Sequence, residues 1–271
     1  DSMIITWPDQ TTTKYDRPAI NKEYIIRESE AKRAPHEPEI RVSGTPLFSQ
    51  VKNNFDKHEE DNNIDFYYEH NVPKMLSREG PKAAVADVNG DGLEDVYIGG
   101  TQVHPGQLYL QTASGKFVKK AEPGFLPFSD FEDEAVLFFD ADHDGDPDLF
   151  IGPGGNNNHG YSRQMQNRLF LNDGRGNFTI DPGAFQNNPN GANTGVAVAS
   201  DFNGDGFLDL FVGGRSVPRE YGSPPVSFLY LNDGKGHFTD IAATKNPGIA
   251  HFGMVTGACW ADMDGDGKPD L

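Results

Sequence analysis

The chain has 271 residues, with 23 Lys or Arg against 41 Asp or Glu, for a formal net charge of −18 at pH 7. That balance excludes nucleic acid as a partner, since phosphate neutralisation needs a basic face, and it disfavours docking on an anionic membrane. No apolar run is long enough to span a bilayer, and the single cysteine, Cys259, rules out an intrachain disulfide.

From the N-terminus, residues 1–35 read as a separate β piece, with Ile4–Trp7 and Glu23–Arg27 predicted as two strands around a polar turn. Residues 29–45 are charged and punctuated by proline, which predicts a linker. Residues 36–80 as a whole are a linker and an entry into the region that begins at residue 81. Within them, 52–70 are polar and acidic with Phe66-Tyr67-Tyr68, predicting a long surface connection.

From residue 81 onward one pattern recurs, Asp-x-[Asp/Asn]-x-Asp-Gly-x-x-Asp. The copies are Asp87-Val-Asn-Gly-Asp-Gly-Leu-Glu-Asp95, Asp140-Ala-Asp-His-Asp-Gly-Asp-Pro-Asp148, Asp201-Phe-Asn-Gly-Asp-Gly-Phe-Leu-Asp209 and Asp262-Met-Asp-Gly-Asp-Gly-Lys-Pro-Asp270. Their first residues are 53, 61 and 61 apart, a period that marks a repeat fold. Oxygen donors at alternate positions around a glycine turn suit Ca²⁺, which takes six to eight oxygens. Candidate ligands are the side chains at position 1 (Asp87, Asp140, Asp201, Asp262), position 3 (Asn89, Asp142, Asn203, Asp264), position 5 (Asp91, Asp144, Asp205, Asp266) and position 9 (Asp95, Asp148, Asp209, Asp270). Position 7 is mixed (Leu93, Asp146, Phe207, Lys268), so its backbone carbonyl is the candidate. The glycine at position 6 (Gly92, Gly145, Gly206, Gly267) takes the positive φ that reverses the chain. Asp, Asn and Gly are also ordinary turn residues. Four matching copies, with carboxylates that would repel one another without a cation, favour the metal reading.

An EF-hand shares the first half of this pattern but needs an acid at position 12 between two helices. Here position 12 is Ile98, Ile151 or Val212, inside short apolar runs closed by glycine, which are strands. Apolar segments also precede the loops, at Ala83–Ala86, Ala135–Phe139, Val196–Ala199 and Ala258–Ala261. Cys259 falls in the last of these, beside Trp260, and is expected to be a buried core thiol. A second motif comes after each of the first three loops: Leu108-Tyr-Leu-Gln-Thr-Ala-Ser-Gly-Lys-Phe117, Leu169-Phe-Leu-Asn-Asp-Gly-Arg-Gly-Asn-Phe178 and Leu229-Tyr-Leu-Asn-Asp-Gly-Lys-Gly-His-Phe238. Each is a hairpin. One repeat is then strand, Ca²⁺ loop, strand, connection, strand, hairpin, strand. The fold class is all-β, a β-propeller of four-stranded blades. Blades are expected at about 81–130, 131–192 and 193–252, with a partial one at 253–271, so three to four blades lie in this chain. The fourth copy runs out at Leu271, and a fragment of a longer protein is expected, whose remaining blades would cover the exposed sheet edge.

These repeats resemble the FG-GAP/VCBS family, the Ca²⁺-binding blades also found in integrin α-subunits, and that resemblance implies seven blades in a complete propeller. Met3-Ile-Ile-Thr-Trp-Pro-Asp-Gln with Asn21 and Ile25-Ile26-Arg-Glu28 resembles the end of an ASPIC/UnbV domain, which accompanies such repeats in the cartilage acidic protein family and its bacterial relatives. Gln10 departs from the glycine usual there. Ser77-Arg-Glu-Gly-Pro-Lys and Gly154-Gly-Asn-Asn also resemble bacterial members.

Beyond the loops, the longest connection within a blade, Gly152–Arg168, is rich in amides and carries His159, Tyr161 and Arg163. Amides with an aromatic suit sugar binding, and long loops on rigid scaffolds carry function; a structural loop is the plainer alternative. Arg215-Ser-Val-Pro-Arg219 and Tyr221 lie in the matching connection one blade on. Catalysis has little support, since the eight His are scattered and G-x-S-x-G is absent. The reading is a calcium-stabilised extracytoplasmic propeller, secreted, at the cell surface or on an outer-membrane lipoprotein, binding a protein or glycan. Ca²⁺ loops of extracellular modules bind at about 10⁻⁴–10⁻³ M, levels not met in the cytosol. Two alternatives are a lyase-like polysaccharide enzyme and an accessory subunit of an outer-membrane glycan-uptake transporter complex.

Overall fold

The structure, a computed structural model, describes residues 2–9, 11–33, 52–185 and 190–271. The chain divides into two compact units, residues 1–51 and 52–271.

The first unit is a small antiparallel sheet of β1 (Ser2–Thr6), β2 (Thr11–Asp16) and β3 (Lys32–Arg33) in the order β1-β2-β3. The partner of β1 is therefore the Thr-Thr-Thr-Lys-Tyr run, and the strand expected at Glu23–Arg27 does not form. The reason is local. After Trp7-Pro8 the Asp9 carboxylate accepts hydrogen bonds from the Thr11 N–H (2.9 Å) and hydroxyl (2.6 Å), turning the chain at once. The β-branched threonines then pair directly. The linker predicted at 29–45 is not all linker, since Lys32–Arg33 pairs with Thr11 and Thr12 as β3; Gln10 and residues 34–51 lie outside the described residues.

The second unit holds three four-stranded antiparallel meanders. They are β4 (Ala83–Ala86), β5 (Asp95–Ile98), β6 (Gln107–Gln111) and β7 (Phe117–Lys120); β8 (Asp133–Phe139), β9 (Asp148–Pro153), β10 (Arg168–Asn172) and β11 (Phe178–Ile180); and β12 (Asn193–Ser200), β13 (Asp209–Ser216), β14 (Phe228–Asn232) and β15 (Phe238–Asp240). Each sheet keeps chain order, and β8 lies against both β4 and β12. These are propeller blades packed face to face. Small residues such as Ala83, Ala84, Gly195 and Ala197 let the innermost strands converge. Residues 52–82 form no strand, as expected of a surface connection, and Phe66, Tyr67 and Tyr68 are exposed.

The core lies between blades, because each sheet is apolar on both faces. Successive residues of β9 alternate sides: Leu149 and Ile151 pack toward the first blade with Val88, Leu108 and Phe125, while Phe150 packs toward the third with Leu210, Tyr230 and Phe238. Phe125, Phe128 and Phe170 meet edge to face at 5.2–5.3 Å. At the same boundary the buried Asp133 carboxylate accepts from the Tyr97 hydroxyl (2.8 Å), the Gly100 N–H (2.6 Å) and Arg168 Nη2 (2.7 Å).

Residues 253–271 depart from expectation. Ala258–Ala261 does not pair as a strand; only Ala261 bridges to Asp270. Val255, Ala258 and Trp260 pack on the third blade, and the Trp260 indole stacks on Phe202 with centroids 5.7 Å apart. Side-chain alternation then turns Cys259 away from that blade, so it is exposed and not the buried thiol expected. Replacing Phe170, 1% exposed, by Ala is expected to cost about 3–5 kcal/mol in chemical denaturation; a loss below about 1 kcal/mol would mean the interblade core is not what holds these blades together.

Candidate metal centres and the opposite loop face

Each of the first three Asp-rich loops joins the innermost strand of a blade to the second, and in all four the position-1 carboxylate organises the loop from within. Asp87 Oδ1 accepts from the N–H groups of Gly90 (2.8 Å) and Asp91 (3.1 Å), and its Oδ2 accepts from Gly92 (2.7 Å). Asp201 and Asp262 repeat this set, and Asp140 accepts from Asp144 (3.2 Å) and Gly145 (3.1 Å). Position 6 has positive φ throughout, from 81° to 96°, as the sequence predicts. Position 4 is also left-handed: Gly90, Gly204 and Gly265 occupy it, and His143 adopts φ 65° there. The nine-residue pattern leaves this second reversal unmarked, although three of the four copies carry glycine at that position.

The position-9 carboxylates are buried in the first three loops and tie loop to sheet. Asp148 Oδ2 accepts from the Ala141 N–H (2.9 Å), and its Oδ1 accepts from Asn172 N–H on β10 (2.8 Å). Asp95 does the same with Val88 (3.2 Å) and Gln111 (2.7 Å), and Asp209 Oδ1 accepts from Asn232 N–H (2.9 Å). Burial pushes Asp148 up to about 7 and Asp209 up to about 6, against the pull of these N–H donors, and raises Asp95 as well.

The donor set fits a hard divalent cation. One carboxylate oxygen from each of Asp140, Asp142 and Asp148 lies within 4.8 Å of the others, and Asp262, Asp264 and Asp270 form a second such trio. In the first and third loops Asn89 and Asn203 stand in the middle place. Asp142 Oδ1 and Asp209 Oδ2 are buried without a hydrogen-bond partner, which is costly for a carboxylate unless a cation meets it. The position-5 acids Asp91, Asp144, Asp205 and Asp266 are exposed, and each accepts from the position-7 N–H at 2.8–3.0 Å. At position 7 the Phe207 ring lies over Gly234 and the Asp146 carboxylate over Gly174 of their own blades' hairpins.

The other ends of the same strands carry a second cluster. There Gly152–Arg168, the 215–221 connection and the approach segment near residues 61–69 meet. Asn156 Oδ1 accepts from Arg219 N–H (2.7 Å), Asn157 O accepts from Arg219 Nη2 (2.6 Å), and the guanidinium lies 5.0 Å over the Tyr68 ring. Glu69 accepts from Asn156 Nδ2 (2.6 Å) and from the Tyr221 N–H (2.6 Å). Tyr67, Tyr68, Tyr161 and Tyr221 are exposed around this network. The two connections singled out from sequence are therefore brought together. Arg163 is turned away, donating to Pro127 O (3.0 Å) and lying 4.8 Å over Phe131.

Sequence reasoning missed both the approach segment's part in this face and the acids Glu132 and Glu134 beside it. The available signal was an acidic triplet at the head of a buried strand. Burial pushes Glu132 up to about 10, with Glu134, Glu60 and Asp61 adding to the shift. Burial raises Glu134 to about 7, partly opposed by Lys82 at 3.5 Å. Lys82 and Glu134 line a cavity of about 210 Å³ between the innermost strands, walled by Ala83, Val136 and Val196.

The FG-GAP-like repeat model matches residues 87–151, 154–212 and 201–271. The chain belongs to the FG-GAP-like repeat family. Cartilage acidic protein 1 of Mus musculus is 36% identical over 164 residues, covering 57% of this chain and 23% of that protein. Its Homo sapiens counterpart is 35% identical over 164 residues, covering 57% and 22%. The chain thus spans under a quarter of the length of these curated relatives. A solved structure described as the basis of recognition of non-reducing terminal N-acetylglucosamine by an Agrocybe aegerita lectin superposes with TM-score 0.41 at 18% identity, over 64% of this chain and 41% of that one. No helix among the described residues is long and apolar enough to cross a membrane.

Glu134 gives a pH test of the second cluster. Its folded-state pKa lies above the usual 4.5. The folded chain therefore holds a proton that the unfolded chain releases as pH rises from about 4.5 to 7, and stability falls across that window. Glu134→Gln removes the titration, so scanning calorimetry is expected to find the variant more stable than the parent at pH 8 and equal to it at pH 4. Equal melting at both pH values would show that Glu134 is not held in this buried state.

Proposed function

We propose that this chain is a non-catalytic binding module, in which Ca²⁺ ions pin the blades at one end of the strands and a polar, aromatic face at the other takes a glycan or protein ligand. The observation that carries the ligand reading is the joining of three separate segments through Asn156, Arg219 and Glu69, with tyrosines exposed around them. Neutral rings beside fixed amides suit the apolar faces and hydroxyls of a sugar, or the mixed surface of a protein loop. The net charge of −18 makes a strongly acidic ligand unfavourable. Weak Ca²⁺ loops of this chemistry fill where calcium is near millimolar, which supports an extracytoplasmic setting. Docking on an outer-membrane glycan-uptake complex is a narrower form of the same proposal.

For the calcium part, chelation is expected to lower the melting temperature and added Ca²⁺ to restore it. Each site contributes about 2.7 kcal/mol at a hundredfold excess over its Kd. Asp144→Ala is expected to remove one equivalent of bound Ca²⁺ in calorimetry, and identical melting with and without EDTA would defeat the calcium reading. For the ligand part, a glycan array probed with the calcium-loaded chain supplies a ligand, and Tyr68→Ala is expected to weaken it about tenfold. A glycan bound equally well by the Tyr68 and Tyr161 alanine variants would place the binding face elsewhere.

A further inference from the structure

We infer that Asn172 and Asn232 are positioning residues that couple each calcium loop to the loop of the neighbouring blade, so that the sites do not fill independently. This rests on the calcium reading above and adds to it how the sites are regulated.

Both residues sit at the same place, the last residue of the third strand of a blade, where the hairpin begins. Both are buried, at 6% and 4% exposure. Each divides its amide between two metal loops. Asn172 Nδ2 donates to Pro147 O (3.2 Å), position 8 of its own loop, and to Val88 O (2.9 Å), position 2 of the preceding loop. Asn232 Nδ2 donates to Leu208 O (3.0 Å), again position 8 of its own loop, and to Ala141 O (2.8 Å), again position 2 of the preceding one. The amide oxygens accept from hairpin glycines, Gly176 N–H (3.1 Å) and Gly234 N–H (3.0 Å). The main-chain N–H groups bond the position-9 carboxylates Asp148 and Asp209. Every donor of these two asparagines, and each amide oxygen, is thereby engaged.

Position 2 is the sensitive point of the preceding loop. It stands between two candidate ligands, Asp87 and Asn89 in the first loop and Asp140 and Asp142 in the second. Its own N–H is held by the position-9 carboxylate, Val88 by Asp95 (3.2 Å) and Ala141 by Asp148 (2.9 Å). Drawing positions 1, 3 and 9 onto one cation fixes the position-2 residue, and its carbonyl accepts from the next blade's asparagine; Ala141 O accepts from the Gly236 N–H as well (3.1 Å). A fixed acceptor in one loop orders the amide that also holds position 8 of the next. Linkage makes the effect reciprocal. Only an amide of this length supplies two donors and one acceptor here. Asp could donate neither proton, and Gln is one methylene longer. A further contact runs the same way: His143 at position 4 of the second loop meets Phe207 at position 7 of the third edge to face at 5.2 Å.

The test is a set of calorimetric Ca²⁺ titrations on the full chain. Asp144→Ala disables the second loop, and it is expected to weaken binding at the first and third loops about three- to tenfold, the worth of one net hydrogen bond. In a chain already carrying Asn172→Ala and Asn232→Ala, the same Asp144→Ala change is expected to leave the first site unaltered and to weaken the third less than it does in the parent chain, since His143–Phe207 and Gly236 N–H to Ala141 O still join the second and third loops. If the alanine variants do not fold, Asn172→Gln and Asn232→Gln replace them, since Gln111 already occupies the matching place in the first blade. Surviving affinities that are unchanged by Asp144→Ala in the otherwise unaltered chain would overturn the coupling while leaving the calcium reading intact. A chain that binds no Ca²⁺ at all would overturn both.

Discussion

The structure depends on a buried carboxylate at the end of each of the first three Asp-rich loops. Asp95 and Asp148 each bond the loop's second residue through one oxygen and the third strand's last residue through the other. A loop of two left-handed turns has no ladder of its own, so its N–H groups must be satisfied by side chains. Position 1 satisfies those inside the loop, and position 9 fastens the loop to the sheet. The negative charge gathered for this purpose is what fits these loops to a divalent cation. Burial raises Asp148 to about 7 and Asp209 to about 6, against the N–H donors that hold them.

This fastening also organises the blades. Val88 and Ala141, gripped by position 9 of their own loops, offer their carbonyls to Asn172 and Asn232 of the next blade. Polar contacts thus run from blade to blade at the loop end, over an apolar interior of Phe, Leu and Tyr. At the other end Asp133 joins Tyr97 of the first blade to Arg168 of the second. The first two blades are thus joined at both ends, and long irregular loops such as Gly152–Arg168 extend from this framework.

Much of the repeat was legible from the chain. The strands before and after the first three loops, the hairpins and the position-6 glycines arise from alternation, apolar runs and turn chemistry, all local properties. Local signals failed where packing or a short turn decided the outcome. Glu23–Arg27 looked strand-like, but the tighter turn at Asp9 gave β1 a nearer partner. Cys259 looked buried because its neighbours are apolar, yet only alternate residues of that segment face the third blade. The approach segment carried too little pattern to reveal that Glu69 and Tyr68 meet loops about 90 and 150 residues away.

By itself the sequence determined the oxygen-rich loops and the hairpins, each written within about a dozen positions, and the four-stranded repeat, because those local motifs recur in the same order every 53 to 61 residues. The tertiary structure alone decided which carbonyl each hairpin asparagine reaches, which acids are buried, and which loops share a face. Those depend on contacts between distant segments, whose partners no local spacing records. Asn172 illustrates the difference: in the sequence it opens a hairpin, and in the fold its amide joins two Asp-rich loops.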